Sequence, residues 1–100
     1  MDKSIGRRRA PNHPTGAQIR AARALLNLSA AELATRTGLA LNTVRKAEST
    51  DELAPITAAN AGLIVQVLVS AGIQFVPADK HGGDGVRFVA SRGDESLRVD

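Results

Sequence analysis

The stretch Ser29–Glu48, SAAELATRTGLALNTVRKAE, decides the fold. Its apolar spacing predicts two short helices joined by a tight turn. The first runs from Ala30 to Arg36, the turn is Thr37-Gly38-Leu39, and the second runs from Leu41 to about Ser49. Ser29 suits an N-cap, because its hydroxyl can accept from the Glu32 amide. Leu33 and Ala34 face inward from the first helix, and Val44 and Ala47 from the second. Gly38 stands where the chain must reverse, a position for a residue free to take positive φ. Leu39 fills the corner. This is the sequence shape of a helix-turn-helix, whose second helix can lie in a DNA major groove. An ordinary helical hairpin in a small core would show the same spacing.

The surroundings bear on that choice. One hundred residues suffice for one domain with a modest core. The aromatics are Phe75 and Phe88 alone, so Ala, Leu, Val and Ile must build the interior. There is no Cys, which excludes disulfides and thiolate metal sites. His13 and His81 alone do not make a zinc site. The start MDKSIGRRRAPNHP lacks a signal-peptide apolar run, and no stretch reaches the length of a membrane span. The expectation is a cytoplasmic protein without contact to a membrane. Net charge is +3, unevenly spread: residues 1–16 carry +3, residues 17–49 carry +3 and residues 50–100 carry −3. The basic half holds the helix pair, as in a nucleic-acid binder.

Residues 1–15 read as a flexible basic arm, broken by Gly6, Pro11 and Pro14. Arg7, Arg8 and Arg9 either reach phosphates or a narrow minor groove, or remain a solvated tail. Gly16 to Asn27 reads as a helix capped by Thr15, with Ile19, Ala22 and Leu26 as its buried stripe and Leu25 beside it. Arg23 and Glu48 each fall among core-facing residues, where an unpaired charge is costly, so they are read as an ion pair.

Residues 16–71 resemble the Cro/C1-type (XRE-like) helix-turn-helix family of bacterial and phage regulators. The likeness rests on Ile19-Arg20-x-x-Arg23-x-x-Leu26, Leu28-Ser29-x-x-Glu32-Leu33-Ala34-x-x-x-Gly38-Leu39 and Thr43-Val44-Arg45-Lys46-x-Glu48. It implies a compact helix bundle acting as a dimer on double-stranded DNA, with Arg23 paired to Glu48. Two positions depart from the family. Ala30 replaces a Gln that contacts the DNA backbone, and Ala40 replaces a Ser or Thr that caps the recognition helix. Leu41, Asn42 and Arg45 are the expected base readers. Asn42 can bond both N6 and N7 of adenine, Arg45 can read guanine or hold phosphate, and Leu41 can touch a thymine methyl. Ser29, Thr43 and Lys46 are assigned to phosphates, together with Arg7, Arg8 and Arg9.

Residues 50–57 form a loop in which Pro55 stops the helix, Asp51 and Glu52 repel phosphate, and Leu53 and Ile56 cover the core. Ala58 to Ala71 reads as a helix capped by Thr57 or Asn60, with a weaker alternative as a strand. Ala61, Ile64, Leu68 and Ala71 form its core stripe. Leu63, Val65, Val67 and Val69 make it apolar on nearly every side, so they are assigned to a subunit interface with Phe75 and Phe88. Residues 72–90 read as a β-hairpin that either packs on the bundle or pairs edge to edge with another subunit, and so serves dimerisation. Residues 91–100 read as a tail. The fold class is therefore mainly α: a helix bundle with a helix-turn-helix, then a short C-terminal β-hairpin.

No nucleophile–base constellation is present. Asp79, His81 and Asp84 cluster in the hairpin loop, where a polar turn explains them. The expected function is a non-enzymatic, cofactor-free transcriptional regulator, a dimeric repressor or autoregulator in the bacterial nucleoid. The alternative is a protein-binding module, such as the antitoxin of a toxin–antitoxin pair or a regulatory adaptor, with a protein partner and secondary DNA binding. Higher assembly of dimers along DNA is a third option.

Overall fold

Three of the four helices among the described residues begin on a hydroxyl side chain that takes up an orphan amide. The computed structural model describes residues 13–90. Arg7, Arg8 and Arg9 and the tail 91–100 lie outside the described residues. Helix α1 spans Gly16–Leu26. Thr15 caps it: its Oγ1 accepts from the Gln18 amide at 3.0 Å, and the Thr15 amide donates to Gln18 Oε1 at 2.9 Å. Helix α2, Ala30–Thr37, starts with the same reciprocal box between Ser29 and Glu32. Helix α3, Leu41–Ala47, starts on Ala40, which offers no side-chain cap. Helix α4, Ala58–Ser70, starts on Thr57, whose Oγ1 accepts from the Asn60 amide. Strands β1, Ile73–Val76, and β2, Gly85–Phe88, form an antiparallel pair.

Helix ends differ from expectation by one or two residues, each for a local reason. α1 stops at Leu26 because Asn27 takes the left-handed conformation, φ 58°, which Asn tolerates through its short polar side chain. α2 runs one residue past Arg36, since the Thr37 hydroxyl donates back to the Leu33 and Ala34 carbonyls. Gly38, φ 77°, then reverses the chain. α3 ends at Ala47 rather than near Ser49, whose hydroxyl bonds the Lys46 carbonyl. Residues 58–70 are helical, so the strand alternative is excluded.

The core gathers Ile19 and Ala22 of α1, Leu33 and Ala34 of α2, Val44 and Ala47 of α3, Ala54 of the following loop, Ile64 and Leu68 of α4, and Ile73 of β1. The larger of these side chains each contribute about 1.5–3 kcal/mol by leaving water. Several apolar residues sit elsewhere than expected. Leu25 and Leu53 are exposed. Leu53 takes part in a backbone bridge to Thr15, and Ala54 beside it faces inward instead. Of the residues assigned to a subunit interface, Val67, Phe75 and Phe88 pack against the chain's own core, so their burial is met largely in cis. Val65 is half-buried, and Leu63 and Val69 are exposed.

Residues 13–15, expected to belong to a flexible arm, are packed against the domain. The Ala54 amide donates to the Pro14 carbonyl at 3.0 Å, the Gly16 amide to the Glu52 carbonyl at 2.8 Å, and His13 Nε2 lies 2.8 Å from the Ala54 carbonyl oxygen. The hairpin loop closes on itself through an Asp79–Gly82 bridge. Gln18 Nε2 donates to the Gly85 carbonyl at 2.9 Å, tying the start of α1 to the hairpin.

The uncapped start of α3 yields a direct test. Ala40→Ser restores an acceptor for the orphan amides and should raise the unfolding free energy by about 1 kcal/mol, measured by urea denaturation.

Candidate nucleic-acid interface

Helix α3 is only seven residues long, too short to persist unaided. Val44 and Ala47 are buried on one side. With about 100° between successive residues, Asn42, Arg45 and Lys46 fall opposite them, and all three are exposed. Leu41 and Thr43 flank this face and are half-buried. The structure thus brings together the expected base readers Leu41, Asn42 and Arg45 with Thr43 and Lys46. Ser29 lies apart, at the exposed start of α2, where its Oγ accepts from the Glu32 amide. The hydroxyl proton remains available to a further acceptor.

The C-terminal end of α3 is held by α1. Arg23 donates from Nε to Glu48 Oε2 at 2.7 Å and from Nη2 to Oε1 at 2.8 Å, a bidentate pair. Its Nη1 donates to the Leu28 carbonyl at 2.9 Å. The hydrogen bond to Glu48 raises the Arg23 pKa above its ordinary value, against the opposing effect of burial. Arg20 Nη1 donates to the carbonyls of Glu48 at 2.8 Å and Thr50 at 3.2 Å, and its Nη2 pairs with Asp51. The guanidinium therefore sits at the electronegative end of α3, where a cation is favoured. Gly16 lies against the same carbonyls: a Cβ there would stand 2.0 Å from the Thr50 oxygen and 2.8 Å from that of Ala47. Residues 16, 20 and 23 share one face of α1, so a single helical face grips the end of α3.

Of these contacts, the Arg23–Glu48 pair was legible beforehand. The roles of Gly16 and Arg20 were not. The Gln18 half of the capping box went unread, although the Thr-x-x-Gln spacing at residues 15–18 is its signature.

Between α3 and the start of α4 runs a shallow open groove lined by Asn42, Thr43, Lys46, Pro55, Ile56, Thr57 and Asn60. Arg36, Arg45 and Lys46 are exposed, whereas Arg20 and Arg23 are held in ion pairs. At the far end of α2, hydrogen bonding to Ser29 holds the Glu32 carboxyl below the usual carboxylate range.

The hairpin-loop carboxylates organise the turn. Asp79 Oδ1 accepts from the amides of His81 and Gly82, and Asp84 Oδ1 from that of Ala78. Among the described residues, no three His, Cys, Asp or Glu are grouped so as to hold a metal ion. No helix of the described residues is long and apolar enough to cross a membrane. Comparison with models of known protein families and with curated proteins returns no match.

Proposed function

We propose that this chain is a sequence-specific DNA-binding transcriptional regulator of the Cro/C1-like type, acting as a homodimeric repressor or autoregulator. In this reading α2 and α3 form a helix-turn-helix and α3 enters the major groove. The observation that carries it is the exposed trio Asn42, Arg45 and Lys46 on a short helix whose opposite face is buried and whose end is clamped by α1. An α-helix with its side chains is about 10–12 Å across, which fits a groove about 12 Å wide. Asn42 suits adenine, Arg45 suits guanine or phosphate, and Lys46 suits phosphate. Arg20 neutralises Asp51 beside the same helix end, which reduces repulsion of a phosphate backbone. In a dimer, two copies of α3 would read half-sites roughly 34 Å apart.

A mobility-shift series tests the assignment. Asn42→Ala should cost about 1–3 kcal/mol on the preferred sequence and relax the preference at one base pair. Lys46→Ala should weaken all sequences alike and lower the salt slope by about 1. Binding unchanged in both variants would show that α3 is not the reading element.

A further inference from the structure

Helix α3, LNTVRKA, contains no Asp or Glu. Its side-chain hydrogen-bond acceptors are the amide oxygen of Asn42 and the hydroxyl of Thr43, since Leu, Val, Ala, Arg and Lys have none. Thr43 is half-buried, whereas Asn42 is exposed. The Asn42 amide bonds no other group among the described residues, so its oxygen and its nitrogen both face outward unused. In the major groove, adenine N6 and cytosine N4 are amino donors that need an acceptor. On this helix that task falls to Asn42. Its nitrogen can donate to N7 at the same time, which adenine offers and cytosine does not.

The helix cannot retreat from what Asn42 meets. Leu41, one residue before it, packs against the core, and Val44 is fully buried. A close-packed interior leaves no slack behind them. At the other end Glu48 is held by the two bonds from Arg23, at 2.7 and 2.8 Å. Asn42 itself is short, with two side-chain torsions, so it cannot re-aim around an obstacle as the longer, exposed Arg45 can. A short reader on a fixed helix tolerates little change in the group it faces.

Adenine N6 carries two hydrogens. One pairs with thymine and the other points into the major groove, where Asn42 Oδ1 would accept it. A methyl group on N6 of a paired adenine replaces that second hydrogen. The Asn42 oxygen then meets carbon instead of a donor, and it is left desolvated without a partner. We propose that α3 senses the methylation state of adenine: it holds its DNA site when the adenine facing Asn42 has a free N6 amino group, and releases that site when N6 is methylated. This rests on α3 being the reading helix of the proposed function, and adds the modification that controls it.

The test uses the duplex that the full chain selects from a random pool. It is synthesised with adenine or with N6-methyladenine at the position that Asn42→Ala relaxes, and a third duplex carries the methyl group outside the selected site. Fluorescence anisotropy titrations give the affinities. Methylation at the relaxed position should weaken the wild-type chain by at least about tenfold, the scale of one good bidentate base contact. The Asn42→Ala chain, which lacks the acceptor, should bind the methylated and unmethylated duplexes within about twofold of each other. The outlying methyl group should leave both chains unaffected. Wild-type binding that ignores the methyl group, a loss equally large in Asn42→Ala, or a relaxed position that holds no adenine each overturns the proposal. The two readings fail separately. If Asn42→Ala weakens and relaxes binding while methylation does nothing, α3 still reads DNA and the sensing of methylation is refuted alone. If Asn42→Ala and Lys46→Ala both leave binding unchanged, the α3 assignment itself is refuted.

Discussion

Replacing Arg23 with alanine will lower the unfolding free energy by about 3 kcal/mol, a large share of the 5–15 kcal/mol typical of a domain. The substitution removes both bonds to Glu48 and the donor to the Leu28 carbonyl. It leaves the Glu48 carboxylate, 8% exposed, without its counter-charge. Arg23 itself is 22% exposed, which places the cost at the lower end of the range for a buried pair. Urea denaturation should show a lower midpoint at unchanged slope. The double substitution Arg23→Met with Glu48→Leu should recover much of the loss, because it removes the stranded charge as well as its partner. A loss under 1 kcal/mol for Arg23→Ala would class the pair with surface salt bridges and remove the clamp from the account.

Gly16→Ala should destabilise by roughly 3 kcal/mol, the reverse of what alanine normally does in a helix. The added methyl would meet two backbone carbonyls, those of Thr50 and Ala47, and backbone cannot swing aside as a side chain can. α1 must then move off the end of α3, with loss of the bond from the Gly16 amide to the Glu52 carbonyl. Gly62→Ala is the control. That glycine lies within α4 with nothing inside 4 Å of an added methyl, so alanine there should stabilise by about 0.5–1 kcal/mol. Thermal unfolding should shift down for the first variant and up for the second.

What could be read from the residues alone follows from how local each signal is. Ser29, Thr15 and Thr57 announce their helices because a cap acts within four residues. Gly38 announces the reversal because positive φ is a property of one residue. The Arg23–Glu48 pair spans 25 positions, and a charge recurring among core-facing residues exposed it. The clamp by Gly16 and Arg20 left no such trace. Its partners are backbone carbonyls of residues 47, 48 and 50, and a carbonyl carries no sequence identity. Leu53 was misplaced for a related reason: the bridge between Thr15 and Leu53 is a backbone event, and one residue of register exchanges inside for outside, so that Ala54 is the buried one. The apolar excess of α4 and the hairpin was visible, but not its division. Val67, Phe75 and Phe88 turn inward, while Leu63 and Val69 do not.

Selection of bound duplexes from a random pool by the full chain puts the reading role of α3 to its most direct test. A dimer presenting two copies of this helix should enrich a two-fold symmetric sequence with half-sites about one helical turn apart, and Asn42→Ala should relax one position in each half. A pool as random after selection as before it would contradict the assignment of α3 as a DNA-reading helix.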